Sequence, residues 1–359
     1  MPTPIDFRAL KRALVIKLRH HGDVLLASPV LTALKHAAPQ CEIDALVYQE
    51  TAPMLAGHPT LEKLHTIDRA WKHQGLLTQL SEERRLIAAL RSRDYDLVIH
   101  LSVHRRGAWL TRLLRPRWSV APRYQGRFWA GSFTHFYPAQ SHAHRHTVET
   151  NLDSLRVLGY EPAEEDKRVI LVPGEAAESR IAALLSLHGL EPGRYIHLHP
   201  ASRWLFKCWP AEKFAQLCDA LAPRGWPLVI SAAPDPKEKA LVTQILAQQR
   251  APTTATLDLS GQLTLKELAA LTARARLFVG VDSAPMHIAA AMGTPTVAIF
   301  GPSGDREWGP WRVASRVVAS ALHPCRPCGK DGCSGSKVSA CLTELPVEAV
   351  LSACEALLG

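Results

Sequence analysis

Residues 277–303, LFVGVDSAPMHIAAAMGTPTVAIFGPS, constrain the fold more tightly than any other part of the chain. The apolar run Leu277–Val281 ends on Asp282 and Ser283. A small-residue pattern with helical spacing follows and closes at Gly293, and a second apolar run begins at Val297. The order is strand, helix, strand. Asp282 or Ser283 can serve as the helix N-cap, Pro285 fits the first turn where its missing N–H costs nothing, and Gly293 suits the position just past the helix. Free backbone N–H groups and the positive end of the helix dipole then meet at one turn, which suits an anion such as phosphate. In open α/β sheets ligands collect at the carboxyl ends of strands, where this turn lies. The residues alone fit a plain βαβ core unit with a solvated turn equally well.

At 359 residues the chain exceeds one hydrophobic core, so two domains are expected. No apolar run approaches the roughly 20 residues of a membrane span, and the N-terminus lacks the residue order of a signal peptide. The expected location is therefore the cytoplasm. A net formal charge of +9 argues for an acidic partner: nucleic acid, an anionic membrane or a phosphorylated substrate.

The first strand reads over 13–18 and is followed by Arg19, His20, His21, Gly22 and Asp23, then a helical pattern over 24–36. One glycine here leaves the Gly-x-Gly-x-x-Gly fingerprint absent, which removes most support for a nicotinamide dehydrogenase. By itself Asp23 reads as an N-cap. Strands over 43–47, 64–67, 96–101 and 118–120, with helices over 81–93 and 106–114, indicate a parallel sheet. Asp94-Tyr95-Asp96 matches the acidic pair that holds a divalent metal in many nucleotide-sugar enzymes. It precedes its strand, on the wrong edge of the sheet, which disfavours that role.

Residues 100–150 hold eight arginines, Arg105, Arg106, Arg123 and Arg127 among them, against one acid, Glu149. Interleaved aromatics such as Trp109, Tyr124 and Phe128 fit this region to a substrate that is anionic and partly apolar, because guanidinium forks suit phosphate and carboxylate oxygens. No RNA- or DNA-binding motif is legible, so no nucleic-acid partner is expected. His142, His144 and His146 alternate as metal ligands can, although a loop ahead of a helix over 147–158 is the simpler reading.

A charged, proline-containing stretch over 160–180 reads as the link between domains. A second alternating series follows, with strands over 195–198, 227–231 and 256–259 and helices over 210–222, 237–247 and 264–273. The chain thus reads as two similar α/β halves facing across a cleft. Between the first strand and helix of the second half lies Lys207. A lysine together with a helix N-terminus can neutralise a diphosphate without a metal, whereas a plain surface lysine is the bland alternative.

His21-Gly22-Asp23, Lys207 with Trp209-Pro210, and Gly280 to His287 leading into Gly293-Thr294-Pro295 together resemble the bacterial ADP-heptose:lipopolysaccharide heptosyltransferases, glycosyltransferase family 9. Ser283-Ala284-Pro285-Met286-His287 and the tail from His323 to Cys328 are most similar to the members that add the branching third heptose, heptosyltransferase III. The resemblance implies an inverting enzyme of the GT-B architecture, α/β, with two Rossmann-like domains whose parallel sheets face a common cleft. Residues 1–172 would bind the acceptor and 173–345 the donor, and the closing helix over 346–359 would pack back on the N-terminal domain.

By the same resemblance Asp23 is the catalytic base. Lys207, Glu238, Asp282, Ser283, Ala284 and His287 bind the donor, ADP-L-glycero-β-D-manno-heptose, with Glu238 favoured over Asp235 for the ribose hydroxyls. Gly22, Arg105, Arg106, Arg123 and Arg127 meet the acceptor, the lipopolysaccharide inner core. No metal or other cofactor is expected, and the arginine-rich region is expected to attach the enzyme peripherally to the cytoplasmic face of the inner membrane. Cys325, Cys328, Cys333 and Cys341 read from spacing as a structural zinc site, although the intervening loops are looser than in common zinc knuckles. A non-catalytic phosphoglycolipid-binding protein and a zinc-dependent nucleic-acid protein are the readings from other classes.

Overall fold

The computed structural model describes residues 5–139, 145–250 and 256–359, so His142 and His144 lie outside the described residues. The chain divides into two compact units, Met1–Leu171 and Val172–Gly359. The first unit has a parallel sheet of β1 (Arg12–Ile16), β2 (Glu42–Tyr48), β3 (Leu61–Ile67), β4 (Leu97–His100), β5 (Trp118–Pro122) and β6 (His135–Tyr137). Their order is β3-β2-β1-β4-β5-β6. The accompanying helices are α1 (His21–Leu25), α2 (Ser28–Ala37), α3 (Leu76–Arg91), α4 (Arg105–Leu114), α5 (Arg127–Ala130) and α6 (Thr147–Arg156).

The second unit repeats the plan with β7 (Ile196–His199), β8 (Leu228–Ile230), β9 (Leu257–Asp258), β10 (Leu277–Val281), β11 (Thr296–Phe300) and β12 (Ser315–Ala319), all parallel and ordered β12-β11-β10-β7-β8-β9. Its helices are α7 (Glu175–Leu187), α8 (Ala211–Leu221), α9 (Pro236–Gln248), α10 (Leu265–Ala273), α11 (Ala284–Ala291), α12 (Asp305–Trp308), α13 (Ala340–Thr343) and α14 (Val347–Leu358). Each sheet therefore reverses its winding once, between its first and fourth strands. That switch point is where an open α/β sheet opens a crevice at its carboxyl edge.

Strands covered on both faces read as unbroken apolar runs, and β1, β4, β10 and β11 do so. In the second sheet alternate residues divide between two cores. Val279, Val281, Val297 and Ile299 meet Trp209, Phe214 and Ile245 on one side. Phe278, Ala298 and Phe300 meet Met286 and Ala289 of α11 on the other.

Several expectations need correction. The pattern over 24–36 is two helices, because Pro29 starts a new one at its second position and the chain bends at Leu26 and Ala27. The stretch over 160–180 is only in part a link, since α7 begins at Glu175 and buries Ile181 and Leu185 against Leu271 of α10. The closing helix α14, expected to pack back on the N-terminal domain, is instead part of the second unit: Val350, Ala353 and Cys354 fill the core shared by β10, β11 and α8. An amphipathic helix settles where its apolar stripe finds matching core, and Leu217, Leu221 and Val318 supply it there.

Gly107, in the first turn of α4, lets that helix press onto the buried ring of His100, and a Cβ there would collide with the imidazole. Gly107→Ala is expected to destabilise the first unit by about 2 kcal/mol, the usual cost of overpacking, seen as a lowered midpoint in urea with unchanged slope. An unchanged midpoint would show that the ring has room to move.

Candidate active site

In the second unit the chain leaves β7, β8 and β10, three neighbouring strands, with Lys207, Glu238 and Asp282 respectively. Lys207 closes a single 3-10 turn, Leu205–Lys207. The following residue but one, Trp209, is fully buried and donates its indole N–H to the Leu345 carbonyl at 3.2 Å, which anchors the loop. The Phe206 carbonyl accepts from the Ser339 hydroxyl at 2.7 Å, so the C-terminal tail braces the same loop. The Lys207 ammonium donates to Asp282 Oδ2 at 2.6 Å, with side-chain exposures of 23% and 7%. A pair so placed cannot separate cheaply, because each charge has given up most of its water.

Ser283 is the N-cap of α11 by its extended backbone, yet its hydroxyl makes no cap bond and instead donates to the Val281 carbonyl at 3.3 Å. The first-turn amides from Ala284 onward sit beside the Lys207–Asp282 pair, with Pro285 lacking an N–H. His287 is buried in the same helix, its ring 6.3 Å from that of Trp308. The two candidate ribose carboxylates have different surroundings. Asp235 caps α9, accepting from the Lys237 and Glu238 amides at 2.9 and 3.3 Å. Glu238 is buried, accepts from the Ala233 amide at 3.1 Å, and is held above the usual carboxylate range by burial. Gly280 carries β10 past a crowded point, where a Cβ would lie 2.7 Å from the Phe278 ring and 3.0 Å from the His199 carbonyl.

In the first unit Asp23 lies inside α1, as its third residue, and is not the N-cap; that position belongs to His20. Gly22 precedes it in the same turn and its carbonyl accepts from the Leu26 amide at 2.9 Å. Arg19 Nε stands 3.6 Å from Asp23 Oδ1. The loop after β4 brings Arg105 and Arg106 to the other side of the switch point, with His104 as the cap whose ring accepts from the Arg106 amide. Arg106 is engaged by Glu83, whereas Arg105 is exposed. Arg123 and Arg127 follow β5, both exposed, with Arg123 over the Phe136 ring at 5.9 Å. The structure thus places all four arginines after β4 and β5, at the carboxyl edge of the first sheet.

Three residues at this edge escape a reading of the sequence. Arg69 stacks on Tyr48 at 3.8 Å, and the Tyr48 hydroxyl meets His104 Nε2 at 3.2 Å. Burial first, then the charges of Arg106, Arg19 and Arg69, hold the His104 imidazole below its ordinary range. The third is Lys17, which looks like an interruption of an apolar strand. Its ammonium is buried, donating to the Leu101 carbonyl at 2.8 Å and Asn151 Oδ1 at 3.1 Å.

Burial pushes the Lys17 pKa down from 10.5 to about 8, with the charge of Asp23 opposing the fall. Between those two values the unfolded chain keeps the proton that the folded chain has released. The stability cost of this ammonium is therefore fully present below pH 8 and is relieved as pH rises toward 10.5. The stability of the wild type minus that of Lys17→Met is expected to rise by about 1–2 kcal/mol from pH 7.5 to 9.5. A difference flat across that range in paired urea titrations would refute it.

Asp96 is occupied by structure, accepting from the Lys11 and Arg12 amides at 2.7 and 3.1 Å on the amino edge. All eight cysteines are free thiols, and burial raises the pKa of Cys341. Among the described residues no group of three or more His, Cys, Asp or Glu side chains is arranged to hold a metal ion. The tail instead clamps the strand end after β11: Arg326 Nε donates to the Gly301 carbonyl at 2.6 Å and the Gly329 amide to that of Pro302 at 2.9 Å.

A family model described as glycosyltransferase family 9 (heptosyltransferase) matches residues 83–339. Lipopolysaccharide heptosyltransferase 3 of Escherichia coli is 37% identical over 298 residues, 82% of this chain and 84% of that protein. A glycosyltransferase family 9 crystal structure from Veillonella parvula DSM 2008 aligns with a TM-score of 0.83 over 99% of both chains at 24% identity. An E. coli heptosyltransferase with ADP-2-deoxy-2-fluoro heptose aligns with a TM-score of 0.71 at 22% identity, over 96% of this chain and 99% of that one. These two likenesses concern the fold, the paired parallel α/β units.

Proposed function

This chain belongs to glycosyltransferase family 9, the heptosyltransferases, and we propose that it moves L-glycero-D-manno-heptose from ADP-heptose onto the inner core of lipopolysaccharide, adding the branching third heptose to the second. The observation that carries the reading is that both sheets bear charge at the same topological place. Lys207, Asp282 and a helix N-terminus stand at the switch point of one, and Asp23 with its cations at that of the other. The relative named lipopolysaccharide heptosyltransferase 3 supports the third-heptose position, and the relative with a fluorinated ADP-heptose supports the donor.

In this reading the acceptor hydroxyl attacks the anomeric carbon, the bond from that carbon to the β-phosphate oxygen breaks, and ADP departs. Asp23 takes the hydroxyl proton, and a single displacement inverts the centre, so one carboxylate suffices. Charge growing on the diphosphate meets the Lys207 ammonium and the amides of Ser283 and Ala284, already in place. Asp282 holds that ammonium, His287 lies behind it in α11, and Glu238 binds the ribose hydroxyls. Gly22, Arg105, Arg106, Arg123 and Arg127 receive the phosphorylated acceptor. No metal takes part. The acceptor's lipid anchor puts the enzyme at the cytoplasmic face of the inner membrane, and among the described residues no helix is long and apolar enough to cross it.

ADP release by the purified protein, measured with ADP-heptose and a panel of core-truncated lipopolysaccharides, tests this directly. Turnover is expected on the acceptor that already carries two heptoses. Turnover only on a shallower acceptor would overturn the third-heptose assignment, and none on any acceptor would overturn the enzymatic reading.

A further inference from the structure

We propose that the leading turns of α3 form the surface by which this protein rests on an anionic bilayer. The inference deepens the reading above and rests on it, since that reading puts the acceptor in a membrane. Leu76, Leu77 and Leu80 are 78%, 85% and 52% exposed, although they open a sixteen-residue helix whose later residues Leu86 and Leu90 are buried in the first unit's core. At 100° per residue Leu76 and Leu80 continue the stripe that Ile87 and Leu90 bury further along. The apolar stripe thus outruns the core it serves, and three large side chains enter water within five residues.

The charges of this helix left without an ion pair among the described residues are cationic. Both acids of the helix are already neutralised, Glu82 by Arg85 at 2.6 Å and Glu83 by Arg106 of α4. Lys72, in the turn before the helix, and Arg84, seven residues after Leu77 and so on its stripe, are exposed and make no ion pair among the described residues. Exposed leucines beside uncompensated cations are what an interfacial helix needs: apolar side chains to enter the acyl boundary and cations for the lipid phosphates. A soluble acidic protein would match the cations but not three exposed leucines within five residues at a helix start.

The arginine-rich surface after β4 and β5 is thereby left for the acceptor's phosphates. α3 and α4 are joined by the Glu83–Arg106 pair, so the helix that would meet the membrane and the acceptor arginines belong to one compact unit. A heptose acceptor held by its lipid anchor would then reach the arginines without leaving the bilayer.

The test is sedimentation of the purified full chain with vesicles of phosphatidylglycerol and phosphatidylethanolamine, against phosphatidylcholine alone. Wild type should pellet with the anionic vesicles and not the neutral ones. The variant Leu76→Ser/Leu77→Ser/Leu80→Ser should lose at least tenfold in partitioning while its turnover on a fully deacylated, water-soluble acceptor stays unchanged. Lys72→Gln/Arg84→Gln should lose several-fold and steepen no further with salt. Wild type left in the supernatant, equal pelleting of the leucine variant, or a wild-type dimer that the leucine variant dissolves would each overturn the proposal. Failure of the heptosyltransferase reading would show separately, as absence of turnover by wild type on the soluble acceptor.

Discussion

Asp23→Ala is expected to lower kcat for heptose transfer by about 10³-fold, the middle of the usual range for loss of a positioned general base, while leaving ADP affinity within twofold of wild type. The two readouts separate because every group assigned to the diphosphate lies in the second unit. The fold should tolerate the change: among the described residues Asp23 is ion-paired to Arg19 alone, at 3.6 Å and half exposed on the arginine side, a contact worth well under about 1 kcal/mol. A second consequence reaches Lys17. Asp23 favours its charged form, so in the variant the Lys17 pKa should drop further below 8. Retention of more than a tenth of wild-type turnover in Asp23→Ala would remove the residue from the role of base.

Lys207→Ala is expected to cost about 10²-fold in kcat/KM and to weaken ADP binding, because it removes a preorganised cation from the leaving group. It should also lower stability by about 2 kcal/mol, since Asp282 would remain buried and lose the ammonium 2.6 Å away. Asp282→Asn keeps the ammonium and loses only its tether, so it should fall between Lys207→Ala and wild type in ADP affinity. Isothermal titration with ADP alone, free of any acceptor, checks the order. Equal affinity of Lys207→Ala and wild type would show that the ammonium serves Asp282 and not the nucleotide.

The donor side was the more legible half. Small residues at helical spacing after Asp282-Ser283 leave few alternatives to strand, turn and helix, and α11 begins at Ala284 as that pattern requires. The broken helix at Leu26 and Ala27 was hidden because Val24, Leu25, Leu26 and Val30 keep helical spacing on both sides of the bend. Strands β6 and β12 are illegible for a different reason: both lie at sheet edges, the first is three residues long, and in the second only Val318 is buried, so neither offers an apolar run long enough to read.

What the sequence determined by itself is local chemistry: the alternation of strand and helix, the capped anion turn, and the residue types after each strand, since these follow from spacing and from backbone groups a few residues apart. What only the tertiary structure decided is company. The switch-point order sets Lys207 against Asp282 across 75 residues, Lys17 against Asn151 across 134, and ends the core of the first unit before the apolar stripe of α3 ends. Burial and charge pairing depend on neighbours that sheet order supplies, and no window of sequence contains them.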